Sequence, residues 1–121
     1  MLAVHNEETV IKKKLETTLL TTYPKDKLEF LIGSDASSDQ TEKIIAECSA
    51  LNPQVKLLRF EQRSGKAGIM NSLAEKASGE ILVLTDANVF FTEQTLFELV
   101  KHFRNEAIAL VAGNILNPDV K

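Results

Sequence analysis

The chain contains a single cysteine, Cys48, which excludes an internal disulfide and any cysteine-rich metal site. Cys48 falls in a helical pattern and reads as a small packed residue rather than a nucleophile. Histidine is almost as scarce. His5 and His102 lie far apart, and neither has a second histidine or a cysteine at metal-ligand spacing. Neither has an acidic partner at a strand end, so a Ser/His/Asp set is absent. Positive charge is not in excess. A net charge of −3 and the lack of a basic stripe argue against nucleic acid or acidic membrane as the main partner. No apolar run approaches a membrane span, and no signal peptide is visible. The longest apolar stretches are strand-sized. No repeat, low-complexity tract or linker interrupts the chain.

What is present suits one soluble domain. The 121 residues, 44% hydrophobic and 26% charged, support a single core. The chain begins in what reads as the middle of a strand, Met1 to Val4, and stops after Asn117-Pro118-Asp119-Val120-Lys121 without a closing helix. It is therefore expected to be one domain, 1–121, truncated at both ends.

Strand-like and helix-like patterns alternate. After the strand stub, Asn6 is a suitable N-cap, with Glu7 and Glu8 in the first turn of a helix running to about Thr21. Val10, Ile11, Leu15 and Leu19 make its buried stripe, and Lys12, Lys13 and Lys14 its solvated side, with the Lys14 stem lying along the stripe. Tyr23-Pro24 ends it. Strand two is Leu28 to Gly33, and helix two Thr41 to Ala50, with Asp39 and Glu42 as a capping pair. Strand three is Val55 to Phe60; Lys56 and Arg59 suit an edge. Helix three spans Lys66 to Ala77, buries Met70, Leu73, Ala74 and Ala77, and carries Gly68, which marks a close backbone approach. Strand four, the five uncharged residues Ile81 to Thr85, is a short run buried on both faces. Thr92 caps a fourth helix to about Arg104, with Leu96, Val100 and Phe103 inward, and strand five is Ala107 to Val111. The βαβαβαβαβ order predicts a Rossmann-like α/β/α sandwich on a mostly parallel sheet, with right-handed crossovers.

Such sheets bind ligands beyond the carboxyl ends of their strands. Four loops lie there: Asn6-Glu7-Glu8; Asp35 with Ser37 and Asp39; Arg63-Ser64-Gly65-Lys66; and Asp86-Ala87-Asn88. Acid on three and base on one suits a ligand that combines phosphates with a metal. Asp86 and Asn88 can aim two oxygens at one hard cation, Arg63 or Lys66 can neutralise phosphate, and Asp35 is free to accept hydrogen bonds from a base or sugar. Each has a plainer reading. Glu7 and Glu8 suit the helix dipole, Ser37, Ser38 and Asp39 are capping residues, and Arg63 and Lys66 can be solvated beside Glu61. The Asp86 turn can simply cap the next helix. Gly65-Lys66 is not a P-loop, since the upstream glycine and the following Ser/Thr are missing.

Taken in order, these pieces resemble the inverting family-2 glycosyltransferases of GT-A fold. Val4-His5-Asn6-Glu7-Glu8 is similar to the family's opening strand and turn, and 29–41 to its second strand and Asp-Gly-Ser-x-Asp-x-Thr loop. Arg63 to Asn71 is similar to its Arg-x-Gly-Lys-x-x-x-x-Asn segment. Gly79 to Asn88 is similar to the strand leading into its Asp-x-Asp motif, and Val111-Ala112-Gly113 to its Val-Gly-Gly.

The resemblance implies sugar transfer with inversion from a nucleotide-diphosphate sugar, UDP-linked by expectation, in polysaccharide or glycolipid synthesis. It implies Mn²⁺ or Mg²⁺ at Asp86 and Asn88, and nucleotide-sugar contacts from Asn6, Glu8, Asp35, Arg63, Lys66 and Asp86. Its strand order, 3-2-1-4, puts strands one and four at the switch point. The acceptor is expected to be a sugar or lipid, and the place of action the cytoplasmic side of the plasma membrane. Three departures stand out. Asn88 replaces an aspartate, which implies weaker metal binding. Ser34 and Ala36 replace an Asp and a Gly around Asp35. Neither the catalytic aspartate nor the acceptor-side Gln-x-x-Arg-Trp motif has a match, and the chain lacks tryptophan, so no catalytic residue is assigned. The alternatives are a non-catalytic nucleotide-binding module and a receiver-type signalling domain. The latter lacks its aspartate at the end of strand three, which is Phe60-Glu61, and its lysine at strand five.

Overall fold

The structure, a computed structural model, describes residues 1–101 and the backbone of 109–112. Its elements run β1 (Leu2–Val4), α1 (Ile11–Leu19), β2 (Phe30–Asp35), α2 (Thr41–Leu51), β3 (Val55–Phe60), α3 (Gly65–Lys76), β4 (Ile81–Leu84), α4 (Thr95–Lys101) and β5 (Ala109–Ala112). All observed pairings are parallel: β1 with β2, β2 with β3, and β4 with β5. A bridge between Leu2 and Thr85 sets β4 beside β1. Two further bonds reinforce it, from the Thr85 amide to the Met1 carbonyl at 3.2 Å and from the Met1 ammonium to the Val83 carbonyl at 2.7 Å. The strands therefore lie in the order β3-β2-β1-β4-β5, with the expected reversal between β1 and β4.

Helices cover both faces of β1–β3. On one side Ile11 and Leu15 of α1 and Ile45 of α2 pack with Leu2, Val4, Phe30, Ile32 and Val55. On the other, Ile69, Met70 and Leu73 of α3 meet Leu31. Ile69 is fully buried, while Ala74 is only half-buried. The inward face of α3 therefore centres about one position earlier than the periodicity suggests.

Several expectations are corrected. α1 starts at Ile11, with Val10 at its N-cap, so Asn6 caps no helix. Asn6 instead holds a φ of +50°, which asparagine tolerates better than most residues, and its side chain reaches across to another loop. β2 begins two residues late and ends two late, because Ser34 and Asp35 pair with Arg59 and Phe60. Asp35 is thus a strand residue. A short 3₁₀ turn, Lys25–Lys27, fills the space after Pro24. The four residues of β4 are half-buried rather than buried on both faces. β4 meets β1 only near its carboxyl end, and a cavity of about 650 Å³ opens between the start of β2 and β4, lined by Glu29, Leu31, Leu82 and Val83. α4 starts at Thr95; the Thr92 amide donates to Thr95 Oγ1, so the expected capping relation is reversed. Leu96 and Leu99 are its buried residues, and Phe103 and Arg104 lie outside the described residues.

Gly68 is not the close approach. A Cβ there would sit 3.5 Å from Ser64 Cβ, an ordinary contact. Gly33 is the tight position, since a Cβ on it would lie 2.4 Å from Ile69 Cγ2. Both atoms belong to a packed interior, where an added methyl forces neighbours off their rotamers. Gly33→Ala is expected to destabilise the domain by about 1–3 kcal/mol. Urea unfolding checks it: an unchanged midpoint would show that α3 slides away at no cost.

Candidate donor-binding site

The loops after β1 and β2 are stitched together by side chains reading the other loop's backbone. Asn6 Oδ1 accepts from the Ser38 and Asp39 amides at 2.8 and 3.3 Å. Glu8 Oε1 accepts from the Gln40 amide at 3.0 Å. In return, Thr41 Oγ1 accepts from the Glu7 amide at 2.8 Å, and Asp39 Oδ2 from the Glu8 amide at 3.3 Å. Asp39 Oδ1 also accepts from the Thr41 amide at 2.9 Å, so it serves α2 as expected. Burial works against the Asp39 carboxylate, yet these bonds, the Thr41 hydroxyl foremost, hold its pKa below the ordinary value. Glu42 does not complete a capping pair. It accepts from Ser34 Oγ at 2.7 Å and from Arg59 Nε at 3.1 Å.

Asp35 links β2 to α3. Its carboxylate accepts from the Ser64 amide at 2.6 Å, the Gly65 amide at 3.0 Å and Arg63 Nε at 3.2 Å. The Ser64 amide is the leading cause of a pKa below the ordinary carboxylate value; burial opposes it, and the Gly65 amide and Arg63 add to it. Gly65 reaches this position with a φ of +79°, which only glycine adopts without strain. Asp35 is therefore not free for a ligand as the sequence suggests. Both its oxygens anchor the start of α3 and aim Arg63 and Lys66 along the rim. Beside it, Ala36 holds a φ of +56°, where a glycine would avoid strain of about 1–2 kcal/mol.

Lys66 closes the chain of links. Its ammonium pairs with Asp86 Oδ1 at the end of β4. Asp86 begins a turn closed by a 3.1 Å bond from the Val89 amide to its own carbonyl. Ala87 and Val89 are buried, Asp86 is half-buried and Asn88 is exposed. All seven candidate residues thus lie along one rim, at or just beyond the carboxyl ends of β1, β2, β3 and β4, with Asp35 the last residue of β2 and Lys66 in the first turn of α3. Direct links join Asn6 and Glu8 to the second loop, Asp35 to Arg63, and Lys66 to Asp86.

The donor set bears on a metal. Among the described residues no cluster of three or more His, Cys, Asp or Glu side chains could cage an ion. One carboxylate and one carboxamide on an open turn fit a small hard cation that takes its other ligands from water and phosphate, as Mg²⁺ and Mn²⁺ do. Asp86 and Asn88 are the residues that would hold it.

Lys14 was missed as a site neighbour. It is not on a solvated side: it is 0% exposed, and its ammonium donates to Thr85 Oγ1 at 2.7 Å and to the Val89 carbonyl at 2.5 Å. It also stands 3.9 Å from the centroid of the Phe91 ring. Burial pushes its pKa from 10.5 down to about 7, with the nearby charge of Asp86 opposing the shift. The signal was its spacing. The buried residues of α1 are Ile11, Lys14, Leu15 and Thr18, one face of a helix.

A parallel sheet with its switch point between β1 and β4, and a rim of anchored bases facing an acidic turn, match the GT-A fold. The chain belongs to glycosyl transferase family 2, whose model matches residues 1–121. It is 32% identical over 113 residues to a beta-monoglucosyldiacylglycerol synthase of Trichormus variabilis, covering 92% of this chain and 24% of that protein. It is 28% identical over 110 residues to the UDP-Glc:alpha-D-GlcNAc-diphosphoundecaprenol beta-1,3-glucosyltransferase WfgD of Escherichia coli, covering 91% of this chain and 42% of that protein. The mannosyltransferase PcManGT from Pyrobaculum calidifontis, solved in complex with GDP-Man and Mn²⁺, superposes with a TM-score of 0.81 at 32% identity, covering 86% of this chain and 31% of the other. The chain thus spans about a quarter of the length of the synthase. The receiver-type alternative has no support beside a family match of this extent. No helix among the described residues is long and apolar enough to cross a membrane.

Proposed function

We propose that residues 1–121 form the donor-binding unit of an inverting glycosyltransferase that moves a sugar from a UDP-sugar to a sugar or lipid acceptor. The observation that carries this reading is the rim itself: a basic loop, fixed by Asp35, stands across from the Asp86 turn and meets it through Lys66. The diphosphate would exchange for that internal partner, with Lys66 and Arg63 neutralising phosphate oxygens. Asn6 and Glu8 act by holding the loop after β2 in place. A divalent cation held by Asp86 and Asn88 would supply Lewis-acid stabilisation of the departing nucleoside diphosphate. The acceptor hydroxyl, giving its proton to a general base that is not assigned among residues 1–121, attacks the anomeric carbon from the opposite side as the bond to the diphosphate breaks, hence inversion.

The named activities of the synthase and of WfgD support a glycolipid or polysaccharide product. WfgD's name carries UDP-Glc, whereas PcManGT holds GDP-Man, so the base is the point to test. Calorimetric titration of UDP, GDP and AMP, with and without Mn²⁺, is expected to show Mn²⁺-dependent binding at least tenfold tighter for UDP than for AMP. Tighter binding of GDP than UDP would overturn the choice of base. No binding of any nucleoside diphosphate by the folded protein would overturn the donor-site reading.

A further inference from the structure

Lys14 is chemically out of place as a core residue. An ammonium is costly to remove from water, whereas a methionine of similar length would fill the same volume without that cost. Among the described residues no carboxylate bonds to it. Its partners are concentrated instead. Thr85 is the residue just before Asp86, and Val89 the residue just after Asn88. The ammonium therefore grips both ends of a single turn, from a helix that is 71 positions away in the chain. The inward residues of the turn, Ala87 and Val89, are buried, leaving Asp86 and Asn88 to the rim.

We propose that Lys14 is a positioning residue of the donor site: anchored in α1, it clamps the turn at Thr85 and Val89 and so sets where the Asp86 and Asn88 oxygens stand. This rests on reading that turn as the metal and diphosphate end of the site. The clamp ties the turn to α1, while Lys66 ties it to the start of α3. Loss of the clamp costs little packing, since the Lys14 stem lies among Ile11, Leu15 and Thr18 on the face that α1 already buries.

The test is Lys14→Met in the intact protein, read two ways. Hydrogen exchange of the Val89 amide, which closes the turn, is expected to quicken at least tenfold, while the Ile32 and Gly33 amides of β2 keep their protection. The Mn²⁺-dependent gain in UDP affinity is expected to fall at least tenfold, with metal-free affinity within twofold of the wild type. A merely structural lysine would move neither quantity selectively. A folded variant with wild-type Val89 exchange and a wild-type Mn²⁺ gain would overturn the proposal. Faster Val89 exchange together with a wild type that shows no Mn²⁺ gain would support the clamp and overturn the donor-site reading beneath it. If Lys14→Met does not fold, Thr85→Val carries the test. It removes one acceptor at constant shape, and an unchanged Val89 exchange rate in that variant would overturn the clamp.

Discussion

Asp86→Ala is expected to lower UDP affinity in the presence of Mn²⁺ by at least a hundredfold and to leave the domain folded. The two halves of that result have separate causes. Asp86 supplies the one carboxylate of the turn; without it only the Asn88 carboxamide remains, a neutral ligand on an exposed residue. A hundredfold corresponds to about 2.7 kcal/mol, within reach of one lost charged contact. Stability depends on Asp86 far less. Its bonded ion-pair partner is Lys66, and the side chains of the pair are 33% and 61% exposed. Exposed pairs of this kind contribute about 0–1 kcal/mol. Titration of UDP against Mn²⁺, with a thermal melt of the same sample, checks both halves. Unchanged Mn²⁺-dependent affinity in a folded variant would remove Asp86 from the site.

Asp35→Asn is expected to weaken UDP at least tenfold whether or not Mn²⁺ is present. That metal-independence separates it from Asp86→Ala. An asparagine offers one acceptor oxygen where three donors converge, and its amide group would face the Ser64 and Gly65 amides or Arg63, donor against donor. The loop then loses its anchor, and the bases at 63 and 66 lose their aim. The same residue leaves a mark on acid stability. Its folded pKa is lowered, chiefly by the Ser64 amide, from an ordinary value of 3.8. The folded protein therefore binds fewer protons than the unfolded chain as pH falls towards and below that value. The contribution is complete above the unfolded pKa and is lost as pH drops through the folded one. Urea midpoints measured from about pH 5 to pH 2 should fall less steeply for Asp35→Asn than for the wild type. Parallel slopes would show that the three bonds to Asp35 do not persist in solution.

Much of this architecture was legible along the chain. The alternation of short apolar runs with helical stripes marks every strand to within a few residues. Gly and Pro punctuation separates them, so the four rim loops and the residues on them follow directly. What was not legible depends on partners distant in sequence. The extent of β3 to Phe60 was legible, but nothing local states that Arg59 and Phe60 draw Ser34 and Asp35 into β2. Nothing local says which glycine faces a helix side chain; Gly68 looked the candidate within its helix, and Gly33 is the one pressed by Ile69. Lys14 was misread because lysine is normally solvated, although its spacing from Ile11, Leu15 and Thr18 marked the buried face. Asp35 was identified by position, but its bonds to the start of α3 depend on the left-handed turn at Gly65 and were not foreseeable.

The narrow join between β1 and β4 has a consequence in time as well as in shape. β2 and β3 share six paired positions, whereas β1 and β4 share a single bridge at Leu2 and Thr85. Cooperative units within a protein part where contacts are fewest. β1–β3 with their helices make one side of this join, and β4 with the turn that follows it makes a second, held to the first by the Lys14 bonds and the packing of Ala87. The Asp86 turn lies in the second, while Asp35, Arg63 and Lys66 belong to the first. A nucleotide gripping both sides would therefore add to a join that few backbone bonds hold, so protection from proteolysis near β4 would report binding even where no product is formed.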